Sequence, residues 1–66
     1  MNVMINGTAH ELPAEATVAQ AVRRLTDAVS GVAVAVNDEV VPRGAWETTA
    51  LAETDRVEVL TAVQGG

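Results

Sequence analysis

Residues 17–31 read TVAQAVRRLTDAVSG, and this stretch predicts one amphipathic helix from about Val18 to Val29. Thr17 and Gln20 have the spacing of a capping box, in which each side chain accepts a hydrogen bond from the backbone N–H of the other residue. Gly31 is a candidate left-handed residue at the carboxyl end. The apolar positions recur at helical spacing and form one stripe: Val18, Ala21, Val22, Leu25 and Val29.

The segment that precedes this helix is predicted to be a β-hairpin. Apolar side chains alternate along its first strand with a period of two. Asn6-Gly7 then supplies two residues that tolerate the positive φ of a type I′ turn. A two-residue turn pairs Val3 with His10 and places Leu12 on the same face as Val3.

A second hairpin is predicted after the helix. Residues 32–36 alternate Val and Ala, which places the valines on the core side of a strand. Asn37-Asp38 makes the turn. The short strand that follows stops at Pro42, and this suits the edge of a sheet because proline cannot donate to a ladder of hydrogen bonds.

Two apolar anchors and a closing strand complete the pattern. Trp46 and Leu51 are predicted to hold an irregular segment against the core, and the closing strand is predicted from Arg56 to Val63. The order hairpin, helix, hairpin and strand allows one helix to cover one face of one mixed sheet. The expected fold class is α+β, a ubiquitin-like β-grasp with five strands, the last parallel to the first. Residues 1–63 are the expected domain and residues 64–66 a flexible tail.

The composition excludes several classes of function. The 66-residue chain has no Cys and one His, which excludes thiol catalysis, disulfides and multi-histidine metal sites. Nine acidic residues against four arginines give a formal net charge of −5, without a basic footprint for nucleic acid or an anionic membrane. No apolar run has the length of a membrane span and no signal peptide is visible, so a soluble cytoplasmic protein is expected.

The chain ends in Gly65-Gly66, a few residues after the predicted closing strand. Two residues without a Cβ can enter a channel too narrow for side chains, and a terminal carboxylate is ionised at neutral pH. Once ATP has converted that carboxylate into an acyl-adenylate, a sulfur nucleophile can turn it into a thiocarboxylate. A terminal Gly-Gly is also often a frayed tail, so the dipeptide alone does not decide between these interpretations.

The chain resembles the ThiS family of sulfur carriers for the thiazole moiety of thiamine, along nearly its whole length. The most specific match is Val41-Pro42-Arg43 followed three residues later by Trp46. The chain departs from the family at Leu60, where an aromatic residue is often found. The remaining matches run from end to end: Val3-Met4-Ile5-Asn6-Gly7, Thr17-Val18, Val34-Ala35-Val36-Asn37, Asp55 and Gly65-Gly66.

This resemblance implies a protein carrier that is not itself an enzyme and binds no cofactor. A ThiF-type adenylating enzyme, using ATP and Mg²⁺, would activate Gly66. Sulfur from a cysteine desulfurase persulfide would replace AMP, and the thiocarboxylate would donate sulfur to a ThiG-type thiazole synthase. Gly66 is then the reacting terminus, and Gly65 belongs to the tail that presents it.

Four residues are candidates for docking to such partners. Leu60, Ala62 and Met4 fall on the strand face opposite the core valines, where an apolar patch beside the tail would help a partner to hold the terminus. The alternative is a scatter of exposed apolar residues, which is common. Arg43 either pairs with an acid of a partner or closes an ordinary surface pair.

Three other functions stay open at this point. The chain could carry sulfur for molybdopterin or cysteine synthesis, although the molybdopterin carrier usually has a proline-rich approach to its glycines and residues 61–64 contain no proline. It could be a non-covalent ubiquitin-like binding module with an idle tail. It could also be a protein modifier that forms isopeptide bonds.

Overall fold

The computed structural model of this chain describes residues 1–27 and 30–61. Its elements in chain order are β1 (Asn2–Ile5), β2 (Thr8–Glu11), α1 (Val18–Leu25), β3 (Val32–Val36), β4 (Glu39–Val41), a 3₁₀ turn (Arg43–Ala45) and β5 (Arg56–Thr61). The strands of this part of the chain form a five-stranded sheet in the order β2-β1-β5-β3-β4. β1 and β5 are parallel and the other neighbours are antiparallel, which confirms the predicted mixed sheet.

Both predicted hairpins form. In the first turn, Asn6 and Gly7 have φ angles of 51° and 82°, and the flanking strands pair in the predicted register. In the second turn, Asn37 and Asp38 have φ angles of 51° and 73°, and β4 lies at an edge of the sheet as predicted. Positive φ at both central positions matches the twist of the flanking strands, and asparagine, aspartate and glycine adopt it at low cost.

The predicted capping box begins α1. The Gln20 N–H donates to the Thr17 hydroxyl at 3.4 Å, and the Thr17 N–H donates to the Gln20 side-chain oxygen at 2.9 Å. The Val18 N–H at the same helix end donates to the carbonyl of Thr49. Since the first N–H groups of a helix have no partner within the helix, both the local sequence and the packed loop stabilise this end.

The helix is shorter than predicted. It ends at Leu25, which is 40% exposed, and Thr26 is already extended with φ −156° and ψ 152°. Thr26 and Asp27 have low helix propensities, so the apolar stripe does not continue through them as helix. Gly31 has the predicted positive φ, 72°, but it stands directly before β3 and does not cap α1. Val29 lies outside the described residues.

The core lies between α1 and one face of the sheet. Trp46 and Leu51 are buried, as predicted, and the Trp46 indole N–H donates to the Val41 carbonyl at 2.9 Å. The other buried members are small or branched apolar residues from the strands, the helix and the adjoining turns: Val3, Ile5, Leu12, Ala16, Val18, Ala19, Ala21, Val22, Val34, Val57 and Val59. Since the helix covers this face, the opposite face of the sheet is the open one.

Candidate functional site

β5 is the central strand of the sheet and the last described element before the carboxyl terminus. It pairs with β1 on one side and with β3 on the other, and its last described residue, Thr61, lies opposite Val32. Val57 and Val59 are buried and Leu60 faces the open side, as predicted. The strand that leads to the terminus is therefore held from both sides. Residues 62–66 lie outside the described residues, so the roles given to Ala62, Gly65 and Gly66 stay predictions.

The beginning of β5 is bonded to the turn of the second hairpin through Asn37. The Asn37 side-chain oxygen accepts from the Arg56 N–H at 2.9 Å, and the Asn37 N–H donates to the Arg56 carbonyl at 2.8 Å. The Asn37 side-chain NH₂ donates to the Asp55 carboxylate at 3.0 Å, which in turn accepts from the Ala52 N–H at 2.8 Å. Asp55, singled out by the family resemblance, thus ties two turns together where the strand starts.

The middle of β5 is bonded to the turn of the first hairpin through Asn6. The Asn6 side-chain oxygen accepts from the Val59 N–H at 2.8 Å, and the Asn6 side-chain NH₂ donates to the Val59 carbonyl at 3.1 Å. The Asn6 backbone N–H also donates to the Val57 carbonyl at 2.9 Å. Two asparagines from two turns therefore hold the start and the middle of the central strand, and sequence reasoning treated both only as turn residues.

The open face of the sheet carries a shallow apolar groove beside Leu60. Leu60 is 69% exposed and Val40, on the edge strand, is 75% exposed. Between them stand Ala33 and Ala35, whose small side chains leave a groove of about 430 Å³ that Glu58 also lines. Sequence reasoning named Leu60 but missed Val40 and the two alanines. The Val-Ala alternation of residues 32–36 was the available signal, since it places the alanines on the open face.

Met4 lies on the same open face but at the other end of β5. It is 37% exposed and pairs with Arg56, four positions before Leu60. At about 3.3 Å per residue of strand, this places the two side chains roughly 13 Å apart along the sheet. Met4 borders a second depression that shares Gly7 and Glu58 with the groove beside Leu60. The two depressions therefore adjoin on the open face, although Met4 itself does not line the groove.

Arg43 lies elsewhere, in the 3₁₀ turn. Its guanidinium carbon is 4.8 Å from the centroid of the Trp46 ring, a cation–π contact. It lines a cavity of about 280 Å³ with residues of α1, next to an exposed ion pair between Arg23 and Glu47 at 3.0 Å. Because α1 covers the face opposite the groove, Arg43 and Leu60 do not form one surface. The part of Arg43 in docking stays a prediction.

The described ranges contain no group of three or more His, Asp or Glu side chains placed to hold a metal ion. His10 lies half-buried on β2, opposite Val3. Residues 1–27 and 30–61 also hold no helix with the length and apolarity to cross a bilayer. The terminal carboxylate of Gly66 stays the predicted reacting group.

Similar proteins share both the sequence and the architecture. A model of the ThiS family matches residues 3–66. The chain is 27% identical to the sulfur carrier protein ThiS of Escherichia coli (strain K12), over 100% of both chains. The crystal structure of the thiamine biosynthesis protein (ThiS) from Geobacter metallireducens is 30% identical, with a TM-score of 0.79 over 100% of both chains. An NMR structure of a thiamine biosynthesis protein from the same organism is 30% identical with a TM-score of 0.76, over 100% of this chain and 88% of that one.

A helix on one face of a five-stranded mixed sheet, with the last strand parallel to the first at its centre, defines a small β-grasp protein of the ubiquitin-like type. The chain belongs to the ThiS family of sulfur carrier proteins. This confirms the resemblance drawn from the Val-Pro-Arg and Trp46 motif and from the diglycine end.

Proposed function

We propose that the chain is a protein co-substrate that carries sulfur for the thiazole moiety of thiamine. A ThiF-type enzyme adenylates its Gly66 carboxylate, sulfur converts the adenylate to a thiocarboxylate, and a ThiG-type thiazole synthase takes the sulfur. The observation that supports this most is the extent of the family match, which runs from residue 3 through Gly66 and so includes the diglycine. The proposed place of action is the cytoplasm, where thiols are kept reduced.

The proposed chemistry needs nothing from the carrier except its terminal carboxyl group. A carboxylate oxygen attacks the α-phosphorus of ATP, pyrophosphate leaves, and a mixed anhydride with AMP forms. The terminal sulfur of a persulfide, derived from cysteine by a desulfurase, attacks the acyl carbon, and AMP leaves. A thiol then reduces the acyl disulfide and releases the thiocarboxylate. ATP and Mg²⁺ are bound by the activating partner, and the carrier itself holds no cofactor.

The folded domain determines where the terminal segment begins. β5 is paired on both sides up to Val59, directly by β3 and through the Asn6 side chain on the β1 side. At about 3.3–3.6 Å per residue, residues 62–66 can reach at most about 18 Å beyond Thr61. A partner that acts on Gly66 must therefore bring its active site close to this end of the sheet. Two terminal glycines then fit a narrow channel that excludes larger side chains.

The groove beside Leu60 is the proposed docking surface on the body of the protein. It lies on the open face, next to the end of β5, and its exposed apolar members are Leu60 and Val40. Glu58 adds a negative charge to its lining, which favours a partner whose apolar contact is bordered by basic residues. Ala62 lies outside the described residues, so its part in docking stays a prediction. Met4 and Arg43 remain separate candidate contacts.

Intact mass spectrometry tests the proposed function. The chain is incubated with the adenylating enzyme, ATP, Mg²⁺ and sulfide, beside a variant that lacks Gly66. The expected result is a mass increase that corresponds to one oxygen replaced by sulfur, located at Gly66 by fragmentation and missing from the shortened variant. No mass change in the full chain, or a change at an internal residue, would overturn the proposal. Equal melting temperatures of the two proteins serve as the control for folding.

A further inference from the structure

We propose that Asn6 is a positioning residue that fixes β5 at Val59 for delivery of the carboxyl terminus, an inference that rests on the proposed function. Its side chain continues the ladder of β1 after the backbone of β1 has turned away. The group that is positioned is the protein's own carboxyl terminus, which must be placed correctly in the active site of the partner enzyme to react.

The backbone of β1 pairs with only the first part of β5. The parallel pairing runs from Met4 opposite Arg56 to Ile5 opposite Val57, and the chain then turns at Asn6. β5 continues to Thr61. The N–H and C=O of Val59 therefore lie beyond the last residue of β1, so the β1 backbone cannot bond them.

The side chain of Asn6 takes the place of the β1 backbone beside Val59. The Asn6 side-chain amide accepts from the Val59 N–H at 2.8 Å and donates to the Val59 carbonyl at 3.1 Å. A primary amide carries the same donor and acceptor as a peptide unit, so it substitutes for one residue of strand. Aspartate would keep the acceptor but lose the donor, and glycine would lose both. Asparagine also tolerates the left-handed backbone, φ 51°, that the turn imposes at this position.

The bonds between Asn6 and Val59 affect how β5 presents the carboxyl terminus. Val59 lies two residues before the last described residue of β5 and seven before Gly66. Without the Asn6 amide, the Val59 N–H and C=O would lose these partners, because both groups point toward β1. The strand would be held there only through the neighbouring residues that pair with β3, and a strand that lacks a neighbour on one side opens more readily. A partner that acts on Gly66 must contact this part of the sheet, because residues 62–66 reach at most about 18 Å beyond Thr61. Since reactions depend steeply on the placement of the reacting atoms, loading of Gly66 should depend on this bond pair.

The chain offers a matched control for this idea in Asn37. Asn37 has the same φ of 51° and the same role in a hairpin turn, and its side-chain oxygen accepts from a β5 backbone N–H. That N–H belongs to Arg56, at the beginning of the strand, so the bond lies far from the terminus. Asn6→Gly and Asn37→Gly each remove one amide while glycine keeps the turn conformation.

The test compares wild type, Asn6→Gly, Asn37→Gly and Asn6→Asp in two measurements. In amide hydrogen exchange, Asn6→Gly should accelerate exchange at Val59 by at least about tenfold, because the Asn6 side-chain oxygen is the acceptor for that N–H, while Asn37→Gly leaves Val59 unchanged. In loading with the adenylating enzyme, ATP and sulfide, kcat/KM of Asn6→Gly should fall on the order of tenfold below that of Asn37→Gly at equal fraction folded. Asn6→Asp, which keeps the acceptor for the Val59 N–H, should lie between Asn6→Gly and wild type.

Two outcomes would overturn the inference in distinguishable ways. Equal loading by Asn6→Gly and Asn37→Gly, with wild type loaded normally, would reject the positioning role and leave the proposed function intact. Failure of wild type to load would reject the proposed function, and the positioning role with it. Unchanged exchange at Val59 in Asn6→Gly would reject the structural basis of the inference, whatever the loading rates are.

Discussion

In the first hairpin turn, Gly7 contributes through its backbone conformation and Asn6 also contributes through its side chain. At Gly7 the backbone has φ 82°. This conformation is unfavourable for any residue that has a Cβ, whatever the space around it. A Cβ built there would meet nothing within 4 Å, so sterics with neighbouring atoms play no part. The identity of the residue is therefore set by its backbone, whereas Asn6 beside it is also used through its side chain.

Gly7→Ala should lower the free energy of unfolding by about 1–2 kcal/mol, the cost of a left-handed backbone at a residue with a Cβ. Gly44→Ala is the matched control, because a Cβ at Gly44 also meets nothing within 4 Å and no positive φ opposes it there. The control should leave stability unchanged or raise it by about 0.4–1 kcal/mol. Urea unfolding followed by circular dichroism measures both, and equal effects of the two substitutions would contradict this explanation.

The helix and the open sheet face are the two elements on which stability and docking separately depend. α1 is fixed at its start by the capping box of Thr17 and Gln20 and by a bond from Val18 to Thr49. The groove beside Leu60 lies on the other side of the sheet and contributes little to the buried core. Changes to the cap should therefore alter stability, and changes to the groove should alter recognition.

Thr17→Ala should cost about 1 kcal/mol of stability, the typical value of a lost N-cap. Thr17→Ser keeps a hydroxyl that can accept from the Gln20 N–H and should cost only a small part of that. Thermal unfolding of the two variants measures the difference. If alanine and serine destabilise equally, the cap hydroxyl does not stabilise α1.

Leu60→Glu should slow loading by the adenylating enzyme several-fold without lowering the melting temperature, because Leu60 is exposed and a charge in an apolar contact must be desolvated on docking. Leu25→Glu makes the same chemical change at an exposed leucine of α1, on the opposite side of the sheet, and should load like wild type. Steady-state rates of loading decide the matter. Equal rates for both variants would remove the groove as a docking surface.

Local signals explain which elements could be predicted from the sequence. The turns at Asn6 and Asn37 and the helix start at Thr17 follow from residues a few positions apart, and all were predicted. The end of α1 was placed too late because the apolar stripe continues to Val29 while Thr26 is already extended. Propensity at two residues outweighed periodicity there.

Long-range pairing explains which parts of the candidate site could not be predicted. The bonds between Asn6 and Val59 join positions 53 residues apart in the sequence, and no local pattern indicates them. The position of Val40 beside Leu60 depends likewise on the strand order β4-β3-β5. The separation of Arg43 from Leu60 depends on which face α1 covers. The role of Gly66 as the reacting terminus stays a prediction, which rests on the diglycine and on the family resemblance.

The charge of the whole molecule bears on how it meets a partner more than on how it folds. The formal net charge is −5. The ion pairs between Arg23 and Glu47 and between Arg56 and Asp38 are both exposed to solvent, and exposed pairs of this kind contribute little to stability. A surplus of negative charge can nevertheless steer the protein toward a basic surface.

Raising the salt concentration from about 0.05 to 0.5 M should lower kcat/KM for loading several-fold, because the Debye length falls from about 14 Å to about 4 Å and screens long-range attraction. The melting temperature should change little over the same range. Loading rates and thermal unfolding measured in the same buffers separate the two effects. A loading rate that does not respond to salt would rule out electrostatic steering.

Reconstituted thiazole formation with a carrier whose Gly66 carboxylate has been converted to an amide tests the proposed chemistry most directly. The amide and a free-acid control are made by the same ligation, so they differ in that one group and share the fold. The free acid should support thiazole formation and the amide should support none, since an amide cannot attack ATP to form the acyl-adenylate. Undiminished thiazole formation with the amide would contradict the role assigned to the carboxyl terminus.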